Sequence, residues 1–294
     1  MSPRVRIGLG VLILAVTALV TLVLGAQSIA KGAYTRAEPV EAAAARLAPH
    51  FDVRLPVDPE TPTPAVLLFS GCGGVRQVQE DYARALNEAG LAAVIVDSFK
   101  ARGIGRAGAR YLVCTGMRLW GQARAADLFA ALDLAREHPQ LDAERLAIAG
   151  WSHGGWTILD ALTYLAEDAP PPGLSALPKN AFSGVRASLL IYPYCSAPVR
   201  ARTRPLATGR EVTALLVADD LIAPPDDCAA LFSREAARGA AIDWEVRDGL
   251  THAFDAPDQP PDPRMRYDAA AAEAVRAAHV ERLLEALREP EAPA

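Results

Sequence analysis

The sequence predicts an α/β domain with a mostly parallel central sheet and helices on both faces, set behind an N-terminal hydrophobic helix. Three observations carry that prediction. Short, continuously apolar runs alternate with stretches of helical spacing, the pattern of strands buried on both faces. A basic start is followed by a long uncharged apolar run. A Gly-x-Ser-x-Gly turn joins one apolar run to the helix that follows it.

Taken in order, Arg4 and Arg6 precede an uncharged stretch from Ile7 to Ala30, apolar from Gly10 to Val16 and again from Leu19 to Leu24. Residues 1–30 therefore read as a signal peptide or a membrane anchor. Ser28-Ile29-Ala30 presents the small residues a signal peptidase reads, whereas an apolar run of about 20 residues is enough to span a bilayer. On either reading the positive flank stays inside and the body is exported. An even number of cysteines (Cys72, Cys114, Cys195, Cys228) in an oxidising compartment points to two disulfides. Residues 31–64 read as a lead-in, with a short helix around Glu41 to Leu47 and prolines at 56, 59, 62 and 64.

The domain itself is read over 65–288, followed by a tail over 289–294. Strands are expected at Ala65–Phe69, Leu91–Val96, Leu146–Ala149, Ala187–Tyr192, Thr213–Ala218 and Ile242–Val246. Helices are expected at Val78–Glu88, Leu119–Glu137 (amphipathic), Gly154–Glu167, Ala229–Arg238 and Tyr267–Leu287. The Pro-rich segments 170–178 and 257–263 read as surface loops. The chain carries 30 basic and 35 acidic residues, a net charge of −5, with no basic block, which argues against nucleic acid as a partner. No Cys-x-x-Cys pair is present, which argues against a zinc framework.

The segment Gly150-Trp-Ser152-His-Gly154-Gly places a serine at a sharp strand-to-helix turn. Side chains at the flanking positions would clash, and the helix that follows aims its free amides and positive dipole end at the site. A serine nucleophile needs a base and an orienting acid, and in this kind of fold they follow it in the order acid, then histidine. His252 lies in a loop directly after the last expected strand, whereas His279 falls in the terminal helix, where it reads as solvated. Asp220 is the expected acid, with Asp219 the alternative and the unused one a solvated loop carboxylate. The Gly-rich turn Ser70-Gly-Cys72-Gly-Gly74 would complete an oxyanion hole, with the amides of Cys72 and His153 as donors. Trp151, Trp156 and Tyr194 are candidates for a pocket wall or for core packing, and Asp97 for a site contact or a turn cap.

At these residues the chain resembles the α/β-hydrolase superfamily and, within it, the dienelactone hydrolase-like family. The Ser70–Gly74 turn looks like the family's His-Gly-x-Gly-Gly loop. Val94-Ile-Val-Asp97-Ser-Phe99 with Arg102-Gly103 is similar to its second-strand exit, and Arg124-Ala-Ala-Asp127 to its helix before the nucleophile. Gly150–Gly155 matches the elbow, and Gly249-Leu-Thr-His252-Ala-Phe254 the histidine loop. Segments around Cys195 and Cys228 resemble a pair in exported members, which implies a Cys195–Cys228 bridge; Cys72–Cys114 is the second bridge expected. Three departures stand out: Ser70 in place of histidine, serine in place of the namesake enzymes' cysteine, and a short acid loop. The resemblance implies an α/β-hydrolase fold and hydrolysis of carboxylic esters or lactones through an acyl-enzyme, without metal or organic cofactor. Its partner would be a small-molecule ester or lactone, with membrane contact through the N-terminal segment if that is uncleaved. The same triad would serve an acyltransferase or a peptidase, and the fold would also serve an inactive membrane-tethered binding protein.

Overall fold

The structure, a computed structural model, describes residues 3–59, 61–207, 209 and 211–288, so the tail expected at 289–294 lies outside the described residues. Seven strands form one sheet: β1 (Phe51–Arg54), β2 (Thr63–Phe69), β3 (Ala92–Val96), β4 (Leu141–Trp151), β5 (Val185–Ile191), β6 (Glu211–Val217) and β7 (Ile242–Arg247). Their order is β1-β3-β2-β4-β5-β6-β7. β1 runs antiparallel to β3, and every other pairing is parallel. β2 and β3 are buried along their whole length, because each faces a helical layer on both sides. Alternation along β2 sends Ala65, Leu67 and Phe69 into one core layer and Val66 and Leu68 into the other.

The helices are α1 (Pro3–Lys31), α2 (Val40–Leu47), α3 (Gln77–Glu88), α4 (Gly121–Glu137), α5 (His153–Ala166), α6 (Pro225–Ala236) and α7 (Ala269–Ala286), with short helical turns between β3 and α4. α3 and α7 cover one face of the sheet, and α2, α4, α5 and α6 cover the other. The stretch read as a lead-in supplies α2, which lies over α4, and the edge strand β1. α4 corrects the amphipathic reading. Its residues from Gly121 to Leu132 are buried all round, because alanines let the sheet, α2 and α5 approach it together. α1 stands apart over most of its length: within Leu9–Lys31 the most apolar 18-residue window has a mean hydropathy of 2.6 and is not buried, whereas Ala30 near its end is buried against the body. At 23 residues Leu9–Lys31 is about 35 Å long, enough to cross a bilayer. The hydroxyls of Thr17, Thr21 and Ser28 each donate to a carbonyl four residues back, so they present no unpaired donor along it.

The chain leaves β2 for β3 on one side, then crosses back to place β4 on the other. Neighbouring strands thus depart in opposite directions at β2 and β4, and a crevice opens at their C-terminal ends.

Candidate active site

Phe69 and Gly150 are partners in the β2–β4 register, so the turns that follow them face each other across the crevice. Ser152 sits between β4 and α5 with φ 49° and ψ −108°, a left-handed conformation that a serine adopts only when its surroundings enforce it. The enforcement is visible atom by atom. A Cβ at Gly150 would stand 2.5 Å from the Gly154 carbonyl carbon, and one at Gly154 would stand 2.1 Å from the Phe69 carbonyl oxygen. A Cβ at Gly155 would press on Pro193 at 2.6 Å. The glycines of the motif therefore let α5 start against the ends of β2 and β4.

His252 lies in the loop after β7. Its Nε2 is 2.9 Å from Ser152 Oγ and its Nδ1 is 2.6 Å from Asp220 Oδ2. The other oxygen of Asp220 accepts the amides of Ile222 (2.9 Å) and Ala223 (2.7 Å), which fix the carboxylate in the short loop after β6. Ser152, His252 and Asp220 are all buried, whereas Asp219 is exposed. The expected nucleophile, base and preferred acid are thus in one chain of contacts.

The Gly71–Gly74 turn and Ser152 line a common cavity of about 390 Å³, together with Trp151, Tyr192 and Met265. His153 opens α5, so its amide is among the first-turn donors that have no partner within the helix. Its ring turns away from Ser152: one nitrogen faces the Leu119 carbonyl at 2.8 Å and the other meets Arg124 at 3.2 Å. Burial, with Arg124 adding to it, holds that imidazole neutral, its pKa lowered to about 3. Of the three aromatic candidates Trp151 lines the cavity, while Trp156 and Tyr194 stack on each other away from it. The Pro-rich segment 257–263 is more than a surface loop, since Gln259 to Asp262 form part of the cavity wall.

Two braces around the site are not apparent from the sequence. Arg124 is fully buried and donates to the Ser70 carbonyl (2.7 Å), Ser98 Oγ (3.2 Å) and His153 Nδ1 (3.2 Å), with Ser70 Oγ within reach at 3.4 Å. It straps the Gly-rich turn to the start of α5, and burial lowers its pKa to about 10. Asp255 accepts from Trp151 Nε1 (3.0 Å) and the Tyr192 hydroxyl, joining the elbow, the end of β5 and the histidine loop. The Tyr192 ring also packs on His252, with centroids 4.8 Å apart. The Arg124-Ala-Ala-Asp127 string stood out only as part of the helix before the nucleophile, with no sign of its burial or bonding, and Asp255 carries no local signal. Asp97 caps a helical turn by accepting the Lys100 amide.

Disulfides join Cys72 to Cys114 and Cys195 to Cys228. The first ties the Gly-rich turn to the segment after β3, and the second ties the β5 exit to the start of α6, across the acid loop. Among the described residues no cluster of three or more His, Cys, Asp or Glu has metal-site geometry.

Comparison with known proteins identifies the fold. The chain has the α/β-hydrolase fold. A putative dienelactone hydrolase from Klebsiella pneumoniae subsp. pneumoniae superposes with a TM-score of 0.59 at 18% identity, over 79% of this chain and 91% of that one. Thermogutta terrifontis esterase 2, phosphorylated by paraoxon, superposes with a TM-score of 0.61 at 16% identity, over 82% and 90%. A dienelactone hydrolase-like promiscuous phosphotriesterase from metagenomic libraries does so with 0.56 at 18%, over 81% and 92%. The resemblance drawn from the motifs is thus borne out at the level of the fold. A family model described as the prolyl oligopeptidase family matches residues 80–168, which hold most of α3, then α4, the elbow and α5. No curated protein matches the sequence.

Proposed function

We propose that this protein is a serine hydrolase of small to medium carboxylic esters or lactones, working through Ser152, His252 and Asp220. The observation that carries the reading is the unbroken contact chain from Ser152 Oγ through the His252 ring to Asp220. In the reaction, Ser152 Oγ bonds to the ester carbonyl carbon while its proton passes to His252 Nε2. The carbonyl oxygen, now negative, is held by the amides of Cys72 and His153 at the positive end of α5. The carbon–oxygen bond to the alcohol breaks, and His252 gives that alcohol its proton. Water then adds to the acyl-enzyme with His252 as base, releasing the acid and restoring Ser152. Asp220 accepts from the His252 Nδ1–H throughout and stabilises the imidazolium. No step calls on a metal or an organic cofactor.

The cavity lies within the range of about 300–1,000 Å³ typical of small-ligand sites, which fits a small-molecule substrate. The body acts outside the cytoplasmic membrane, carried there by α1, a reading supported by the two disulfides. A second reading, cleavage of peptide bonds by the same residues, is favoured by the prolyl oligopeptidase match alone.

The test is covalent. A fluorophosphonate probe, with the labelled peptide mapped, is expected to mark Ser152. Turnover of p-nitrophenyl acetate, butyrate and octanoate is expected to vanish in Ser152→Ala with an unchanged melting curve. Amide turnover matching ester turnover would move the peptidase reading to first place. A folded protein that takes no label would overturn both, leaving a binding protein.

A further inference from the structure

We infer that the segment from Ile104 to Met117 is a second membrane contact, seating the catalytic body on an anionic lipid surface beside α1. The inference rests on α1 being a retained anchor and is independent of the chemistry at Ser152. Between Asp97 and Asp127 the sequence has no acidic residue; Arg106 and Arg110 are exposed and Arg118 is half-buried there, while Lys100 and Arg102 pair with Asp97 and Asp127 and Arg124 is buried. The segment is two-sided. Ile104, Ala109, Val113 and Leu119 are buried in a small core of their own with Phe99 and Ala123. The outward side presents Tyr111 at 63%, Leu112 at 37% and Met117 at 48% exposure, among exposed Arg106 and Arg110. Apolar and aromatic side chains interleaved with arginines form the composition that lodges at the boundary between headgroups and acyl chains.

Position selects the lipid surface over other partners. The candidate span of α1 ends at Lys31, and the body packs directly on that end: the Trp120 amide donates to the Ala30 carbonyl at 2.8 Å. Ile29 and Ala30 share a cleft with Arg102, Ile104 and Arg118. The Leu112 carbonyl in turn accepts the amides of Met117 (2.8 Å) and Arg118 (3.0 Å), so the exposed apolar residues adjoin that cleft. A helix crossing the bilayer would bring this surface to the headgroups on the side where the body lies. Basic residues there gain by proximity to anionic lipid. The segment's other end reaches the active cavity, whose wall includes Arg110, Cys114 and Thr115.

The experiment uses the full chain reconstituted in phosphatidylglycerol vesicles. Single fluorophores are attached at Tyr111→Cys, Met117→Cys, Val20→Cys within α1, and Glu88→Cys at the end of α3 on the opposite face of the sheet. Quenching is read at 111, 117 and 88 with lipids brominated high on the acyl chain, and at 20 with lipids brominated near the end of the chain. Strong quenching at 111 and 117, weaker when phosphatidylcholine replaces phosphatidylglycerol, with none at 88, is the expected result. Quenching at 20 together with values at 111 and 117 no different from 88 would overturn the seat and leave the anchor. No quenching at 20 would remove the anchor and the seat with it. All four positions are exposed, and a melting curve for each labelled chain confirms that the readout comes from folded protein.

Discussion

Asp219 and Asp220 show how much a single position decides. They adjoin in one loop and share a chemistry, yet one is exposed and the other is buried with its carboxylate shared between two amides and His252. Asp220→Asn puts an amide where the His252 Nδ1–H needs an acceptor. It is expected to lower kcat by about 10⁴-fold, as removal of the orienting charge does in other triads. Asp219→Asn is expected to leave kcat unchanged, and steady-state kinetics on the two variants separates them. The proposed acid was legible from the sequence to within one residue, because loop geometry, not residue type, determines which carboxylate turns inward. Arg124 and Asp255 were not legible as braces. A buried charge is recognised by its partners, and those partners, Ser70 and His153 for one and Trp151 and Tyr192 for the other, come from distant parts of the chain.

At the scale of elements, the nucleophile turn depends on how closely α5 can approach β2. Gly154→Ala would place a methyl 2.1 Å from the Phe69 carbonyl oxygen, which is backbone and cannot swing aside. The helix start has to retreat, moving the His153 amide away from the oxygen it is proposed to hold. We expect a loss of about 3 kcal/mol in chemical denaturation, in line with overpacked cores, and a larger proportional fall in kcat than in substrate affinity. Most elements were legible because the sheet is buried on both faces, so its strands read as unbroken apolar runs. β1 was not, since a four-residue edge strand reading Phe-Asp-Val-Arg has no such run. α4 was placed correctly and misjudged in its surroundings, because a helix rich in alanine looks weakly amphipathic whether or not a second helix covers it.

For the whole molecule, two buried histidines with lowered pKa values, His153 and His279, couple folding to acidity. His279, read as a solvated residue of the terminal helix, is instead buried against the Tyr82 hydroxyl at 2.8 Å. Burial, with Arg247 and Arg282 adding to it, lowers its pKa to about 3. The unfolded chain takes up a proton near pH 6.5 that the folded chain refuses until about pH 3. The stability tied to this neutral ring is therefore complete above pH 6.5 and is lost as the pH falls toward 3. His279→Gln keeps an acceptor for Tyr82 and removes the titration. Its stability curve is expected to be flatter in that window by about 1.4 kcal/mol per pH unit, measured by denaturant unfolding at several pH values.

Both disulfides lie at one rim of the sheet, where β2 and β5 end and α6 begins, and among the described residues no covalent tie crosses the other rim. The molecule is therefore laced at one end only. Amide hydrogen exchange under native conditions should show the unlaced rim and the exposed edge strand β7 opening first, with Phe69, Gly150 and the turn at Ser152 protected longest. A reducing agent should erase much of that gradient. If the pattern holds, partial damage by heat, denaturant or proteases would spare the reactive centre, and the protein would go on turning over substrate while already frayed.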